Sequence, residues 1–564
     1  MEQLIQEIRR LLSLDENRAF AVNLLMDICA VDTTPFADVS IMRDAESKVF
    51  DRLEKALEAI QFKGTRTERR RVNPAIKNHP AYSKLHFTKT AERPEGLTPE
   101  EAYADRCNLL YFVPGPNGIE KDGLALNAHI DVVKPYYPPS LSEEYVCGRG
   151  SGDDKGSVVT IITALKVLSE ALANCGMKLK KNLLGMFVVE EETGGNGSLS
   201  LAIDRSLKEF YNSILVMESA DNGVFPANRG AVWYQIGLKC QGANLFEMAA
   251  FIYEQLEFEG RAIKAESRHA LFPQRPVQTC HGMIGGYGEH PSRICGEVAF
   301  DITVGNANRR VQEIIEDDIE SALADYIGLY GDKTKAIDKV TGKPKVDHHY
   351  DLTLEGNTFI VAVHGSAGHM GSIMENDGAI TKMAMFVRRI FCSKAHIEAV
   401  GGGVCTMRLH GEAPSDSLKL EGGQGFVPTH AIDEIMARIA KATMNGAANY
   451  CRLAAIAATP SVEVTFDKLH NAAFDGDPGS PQMRNAVAAA KEAGIWQEDK
   501  PIMGWTVSCD SRIFATEYPG MSVITSGGGS MQCAHGDAEC IKIGDMLASA
   551  LFTAIYIIKE VGIA

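Results

Sequence analysis

The chain has 564 residues, 45% hydrophobic and 23% charged, which excludes a disordered polymer and is long enough for two or more domains. Its 57 Lys and Arg against 73 Asp and Glu give a formal charge of −16, which argues against nucleic acid and anionic membrane surfaces as partners. Thirteen cysteines, an odd number without a C-x-x-C pair, fit buried thiols in a reducing compartment rather than a disulfide framework.

The first residues, MEQLIQEIRRLLSL, carry apolar side chains at helical spacing and predict an amphipathic helix, without the basic start and apolar run of a signal peptide. The basic run RTERRR at 66–71 is too short for a binding patch and predicts a solvated loop. Near the end, Leu547 to Ile558 is interrupted by Ser549 and Thr553, is too short to span a bilayer, and predicts a packed terminal helix. The expectation is a cytoplasmic protein with no membrane or nucleic-acid partner.

Between these ends, metal-ligand residue types occur in five segments. His129 sits in LALNAHIDVV and Asp153 in GRGSGDDKG; Glu191 and Glu192 sit in FVVEEETGGNGS, Glu218 in ILVMESAD and His535 in SGGGSMQCAHGDAE. All but the second follow an apolar β-type run and stop at a Gly- or Asp-rich turn, which is where an open α/β sheet presents ligands. Asp153 instead precedes a helical apolar stripe of Val158, Ile161, Ile162, Leu165, Leu168 and Leu172. Two His and three carboxylates, one of them shared, suffice for two zinc ions and leave an adjacent Glu as base. In the pair His129 and Asp131 a carboxylate is within reach of the second imidazole nitrogen, fixing tautomer and ring direction.

Taken in order, H-x-D, GRG-x-x-D-x-K-G, E-E-x-G, a lone acidic residue after a strand, and G-G-x-S…A-H-x-x-x-E resemble one family. It is the di-zinc metallopeptidases that include carboxypeptidase G, carnosinase, dipeptidase V, aminoacylase and the acetylornithine and succinyl-diaminopimelate deacylases. The resemblance implies that one metal takes His129 and Glu218, the other takes Glu192 and His535, and Asp153 bridges both. It implies Glu191 as general base and Asp131 as the group that orients His129. In the run Glu190-Glu191-Glu192, the family spacing to Gly194 selects Glu191 and Glu192, leaving Glu190 a supporting or exposed position. Asp154 takes a structural role, and a cis peptide bond is implied between Asp153 and Asp154.

More than three hundred residues separate Glu218 from His535, so an inserted domain is expected between two parts of one catalytic domain. The reading places the catalytic domain at 1–229 and 469–564 and an inserted α+β domain at 230–468, leaving near 227–230 and returning through a Gly/Asp/Pro loop at 467–478. The insert carries a faint repeat. GAVWYQIGLKCQGANLFEMAAFIYEQL resembles the segment from NTFIVAVHG to MAMFVRRI, and CGEVAFDITV…VQEIIEDDIESAL parallels DSLKLEGGQG…AIDEIMARIAKA. By resemblance the insert is a doubled lid of two related halves, which leaves both monomer and homodimer open. The stretch GSAGHM at 365–370, with NDGAI at 376–380, resembles the family's lid motif; its histidine, His369 here, would reach the substrate carbonyl oxygen. The usual proline is absent, Met374 standing near its place.

Substrate-contact candidates follow. Asp510 and Arg512 in GWTVSCDSRIF match a pocket-lining stretch of the family, where Arg512 would pair with a substrate carboxylate or form a structural ion pair. The loop around Gly528 offers backbone N–H groups or is a tight turn, and Arg408 in the insert is a further candidate. The fold class is thus α/β, a mixed-sheet di-metal peptidase domain with an inserted lid. The function reads first as a dipeptidase-like metallopeptidase acting on a small peptide. An N-acyl amino acid deacylase is the second reading, and a non-catalytic metal- or peptide-binding protein is the third. Two divalent metals are expected, zinc first, with cobalt or manganese as alternatives.

Overall fold

The computed structural model describes residues 1–116, 122–337, 342–370, 377–536 and 538–564; the side chain of His369 also lies outside the described residues. The chain divides into two compact units. One comprises Met1–Gly230, Ala270–Phe272 and Asn471–Ala564, and the other Ala231–His269 and Pro273–His470.

The first unit is built on a seven-stranded sheet. In spatial order its strands are Arg66–Arg71, Cys107–Val113, Asn182–Val188, Gly123–His129, Ser213–Met217, Ser522–Ser526 and Val224–Phe225. The four strands from Asn182–Val188 to Ser522–Ser526 run parallel, and the outer ones are antiparallel to their neighbours. Every residue of Gly123–His129, Asn182–Val188 and Ser213–Met217 is buried, because a central parallel strand is covered on both faces and therefore reads as a continuous apolar run. One consequence is that the carboxyl ends of four parallel strands open at the same edge.

The helix Lys155–Cys175 is buried almost all round rather than along one stripe, because the helices Glu2–Leu12, Asp15–Cys29 and Ile543–Val561 all pack against it. It stops at Gly176, whose φ of 65° closes the last turn in the left-handed region that glycine adopts without strain. Among the described residues it is the one helix long and apolar enough to cross a membrane, and 72% of that span is buried inside this unit.

The basic run at 66–71 corrects the expected loop: it is the edge strand Arg66–Arg71, antiparallel to Cys107–Val113. Arg69 is neutralised by Asp51 and Glu54, Arg70 by Asp204 and by Glu68 within the run, and Arg71 by Asp105. A charged edge that discourages strand addition is a common solution for an open sheet. The predicted return loop at 467–478 is also largely strand. Ser461–Asn471 is extended, and Phe474–Asp475 pairs antiparallel with Ala227–Asn228, tying the two chain crossings together.

The second unit holds two four-stranded sheets. One orders Thr279–Ile284, Leu418–Phe426, Gly230–Lys239 and Ser461–Asn471; the other orders Tyr350–Glu355, Thr358–His364, Glu297–Thr303 and Thr406–Leu409. The helices Leu245–Glu266 and Ile432–Leu453 pack on each other, as do Arg309–Tyr330 and Ala379–Gly401. Each sheet therefore takes one strand from each of the two repeated segments seen in the sequence: the chain begins in one half, builds the other, and returns.

Beneath the first unit's sheet edge lies a buried ion triad. Arg106 donates Nε and Nη2 to both oxygens of Glu46, the latter at 2.6 Å, and Nη1 to Glu190, with all three side chains almost fully excluded from solvent. Tyr103 adds its hydroxyl to Glu190 at 2.7 Å. Arg106→Ala leaves two carboxylates buried without their cation, so the variant is expected to lose roughly 3–5 kcal/mol of stability. Denaturant unfolding measures this, and a loss near zero would mean that the triad has access to water.

Candidate metal centre

Four strand ends and one helix start place the ligand-type side chains. His129 closes its strand with its ring 2% exposed. Its Nδ1 lies 3.0 Å from the Asp131 backbone oxygen and 3.4 Å from the Asp131 carboxylate, which leaves Nε2 pointing inward. Nε2 then lies 3.2 Å from Asp153 Oδ1 and 3.5 Å from Glu218 Oε1. On the other side, His535 Nε2 lies 3.4 Å from Asp153 Oδ2 and 3.0 Å from Glu192 Oε1. The two sets, His129–Asp153–Glu218 and Asp153–Glu192–His535, each bring three ligand atoms within 4.8 Å of one another and meet only at Asp153, one carboxylate oxygen to each side.

Asp131 does more than face His129. Its two carboxylate oxygens accept the backbone N–H groups of Glu191 and Glu192, each at 3.0 Å, which fixes the turn carrying both glutamates. Glu190 leads into that turn at a φ of 63°, a left-handed conformation costing about 1–3 kcal/mol outside glycine, and is held there by Arg106 and Tyr103. Glu190 is thus committed away from the ligands, and Glu191 and Glu192 face them. Glu191 Oε2 stands 4.0 Å from His129 Nε2 and belongs to neither three-residue set.

The loop carrying Asp153 is held by Glu539, the last residue of the segment A-H-x-x-x-E that begins at Ala534. Glu539 Oε1 accepts from the N–H groups of Gly150 at 2.9 Å, Gly152 at 3.1 Å and Asp153 at 3.0 Å, while Oε2 accepts from the fully buried Arg149. Asp154 supports the site from behind, its Oδ2 taking the His129 backbone N–H at 3.2 Å, and the Asp153–Asp154 peptide bond is cis. Lys155, the next residue, is buried and donates to the Val31 carbonyl at 2.8 Å.

The remaining candidates lie as follows. Arg512, 3% exposed, donates Nη2 to the Gly194 carbonyl at 2.9 Å, bracing the turn after Glu192; Asp510 beside it is equally buried. A Cβ on Gly528 would meet the Asp545 carbonyl and Ser549 of the C-terminal helix, so that flank of the glycine is packed. Arg408 belongs to the second unit, where its Nε pairs with Asp301 at 3.0 Å. His369 has its backbone in a two-residue strand paired with Arg293–Ile294, and its side chain is outside the described residues.

The donor set fits a pair of divalent cations on its electrostatics. Burial, then Glu218 and Asp510, drives the Glu191 carboxyl well above the usual carboxylate range. Burial and Asp153 push Glu218 up to about 7, and burial raises Glu192 despite His535. Burial opposes the charge of Asp153 too, yet hydrogen bonds from His129 and His535 hold its pKa low. Both imidazoles are pulled the other way: burial lowers them, but Asp131, Asp153 and Glu218 raise His129, and Glu192 with Asp153 raises His535. A buried acidic cluster that raises three of its carboxyls and both imidazoles lacks positive charge, which cations at imidazole and carboxylate donors would supply.

Residues 125–559 match the peptidase family M20/M25/M40. A probable carboxypeptidase of Arthroderma gypseum is 30% identical over 137 residues, covering 22% of this chain and only 28% of the fungal protein. Human carnosine dipeptidase 1 shares the fold at 12% identity with a TM-score of 0.55, covering 99% of each chain. The di-peptidase Dug1p from Saccharomyces cerevisiae does so at 13% identity and TM-score 0.55, covering 99% of this chain and 98% of that one.

Glu539→Ala strands three amide donors and Arg149 without their acceptor and frees the loop that aims Asp153. Metal affinity is expected to fall roughly 10–100-fold, as for other groups supporting a ligand from behind. Competition dialysis against a graded chelator reads the change, and an unaltered affinity would show that other contacts suffice to hold the loop.

Proposed function

The chain belongs to the peptidase family M20/M25/M40, and from that premise we propose that it is a two-metal hydrolase cutting the amide bond of a small peptide, dipeptidase-like in substrate. The observation that carries the reading is Asp153 standing between two three-residue ligand sets while Glu191, in the same pocket, is left out of both. Zinc is the metal proposed, with cobalt or manganese able to occupy the same imidazole and carboxylate donors. His129, Asp153 and Glu218 would hold one ion, and Asp153, Glu192 and His535 the other.

Bound there, a pair of divalent cations supplies Lewis acidity toward a carbonyl oxygen and lowers the pKa of water. The protein's own share is proton handling and position. Glu191, claimed by neither ligand set and 4.0 Å from His129 Nε2, would take a proton from the attacking water on a carboxylate oxygen. The same proton then passes to the leaving amine, which departs neutral. Asp131, by gripping the amides of both Glu191 and Glu192, keeps base and ligand in register. A protein that only bound metal or peptide has no use for that unligated carboxylate, which is why hydrolysis is preferred over binding. The reading includes a cytoplasmic enzyme with no membrane or nucleic-acid partner, in keeping with the charge of −16.

Activity of the zinc-loaded protein on dipeptides, with N-acyl amino acids in parallel, tests the substrate class: cleavage confined to the acyl compounds would move it to the deacylases. The roles of the glutamates separate by substitution. Glu191→Gln is expected to retain both metals and lose roughly 10²–10⁴-fold in kcat. Glu192→Gln should lose metal first. Equal metal loss in the two variants, measured by elemental analysis beside kcat, would show the assignment to be out of register.

A further inference from the structure

Four groups of metal-ligating side chains occur among the described residues, and two of them share Asp153. Of the others, Glu266–His430–Glu434 already has a cation, since the Arg438 guanidinium reaches both glutamates. The last, His348–Asp351–His364 in the second unit, has none: among the described residues no Lys or Arg pairs with Asp351. Neither histidine lies in a segment that carries ligand-type residues at the first centre.

The backbone brings the three together. Asp351 lies on the edge strand Tyr350–Glu355, opposite Ala362 in the antiparallel neighbour Thr358–His364. His364, two residues beyond Ala362, is therefore the diagonal neighbour of Asp351 on the same face. The ladder continues past the strand, the His364 amide donating to the His349 carbonyl at 2.9 Å, and this positions His348 at the entrance to the edge strand. His348 Nε2 and His364 Nε2 then converge on a single oxygen, Asp351 Oδ2, at 3.0 and 2.9 Å. The rings meet edge to face with centroids 4.6 Å apart.

We propose that His348, Asp351 and His364 form a third divalent-metal site, separate from the pair at Asp153, that takes an ion of the zinc class through two imidazoles and one carboxylate. Ligand atoms about one metal at bond lengths near 2.0–2.1 Å lie roughly 2.9–3.4 Å apart, which is the spacing observed between the carboxylate oxygen and each nitrogen. Two neutral imidazoles and one carboxylate favour zinc, cobalt, nickel or copper over calcium or magnesium, which ask for more oxygens. The site faces outward, with His348 and Asp351 more than half exposed, so water completes the coordination. Without an ion, exposed pairs of this kind are worth about 0–1 kcal/mol, little return for ordering three side chains on one point. An ion there pins the edge strand to its neighbour.

Full-length protein is stripped with a chelator, equilibrated with zinc at low micromolar free concentration and about pH 7.5, where imidazole is neutral, and its bound zinc counted. Wild type is expected to hold one zinc more than His348→Ala, and one more than Asp351→Asn, with peptide hydrolysis equal in all three. Both positions are exposed, so neither substitution opens the core, and either variant decides alone if the other does not fold. Equal zinc content in wild type and variants, or an additional zinc that appears only at millimolar concentration, would overturn the proposal.

Discussion

Asp153 is reached from both sides by imidazoles far apart in the chain, and the contacts of its loop keep its carboxylate in that place. His129 meets one oxygen and His535 the other. The loop beneath is hung on Glu539 by three amide hydrogen bonds, and Glu539 in turn is anchored on the buried Arg149. A carboxylate placed between two ligand-type sets tolerates little displacement, because a shift favouring one set lengthens its contacts to the other. The parallel sheet supplies the rigid frame: four strand ends at one edge fix the origins of His129, Glu191 and Glu192, Glu218 and the His535 loop, leaving only the helix-start loop to be positioned by other means.

Burial is what makes this arrangement a candidate cation site rather than a set of ion pairs. Removing a carboxylate from water costs several kcal/mol unless charge of the opposite sign is near. The two imidazoles offset part of the burden of Asp153, Glu191, Glu192 and Glu218, and the remainder appears as carboxyls pushed up in pKa, Glu218 to about 7. By contrast, the neighbouring Glu190, equally buried, has its own guanidinium from Arg106 and needs no ion. The three consecutive glutamates thus divide by partner: Glu190 holds an arginine, Glu192 belongs to a ligand-type set, and Glu191 belongs to neither set.

The sequence made the parallel core and the segments of the centre readable because both depend on local order: apolar runs ending in turns, with a ligand type at each turn. What was not readable depends on distance. The RTERRR run looked solvated because its counter-charges, Asp51, Glu54, Asp204 and Asp105, lie on other elements, and only the folded sheet shows it as an edge strand. Glu190 was left between supporting and exposed positions since Arg106 and Tyr103 precede it by more than eighty residues. Glu539 was visible as a motif letter, but its function, three backbone amides nearly four hundred residues away, has no local signature. His348 and His364 fall in the same class: neither carries a motif, and only strand register puts them on one carboxylate.

The three glycines after Ser526 show how closely the distant parts of the chain are fitted. Glu218 N–H bonds to the Ser526 carbonyl, and the amides of Asn222 and Asp221 bond to the carbonyls of Gly527 and Gly529, so the loop runs directly along the back of the Glu218 turn. A Cβ on Gly527 would stand 2.0 Å from the Glu218 carbonyl, and one on Gly529 would stand 2.4 Å from the Gly152 carbonyl. Any side chain there would drive apart the backbones that present Glu218 and Asp153. The run of glycine is required by this approach, not by flexibility. The loop, His535 and Glu539 all belong to the C-terminal segment, which therefore supplies one ligand-type residue of the second set and the anchor of the Asp153 loop that both sets share. Without it Asp153 would keep one imidazole and an unanchored loop, so the candidate centre depends on the fold of the unit as a whole rather than on any local motif.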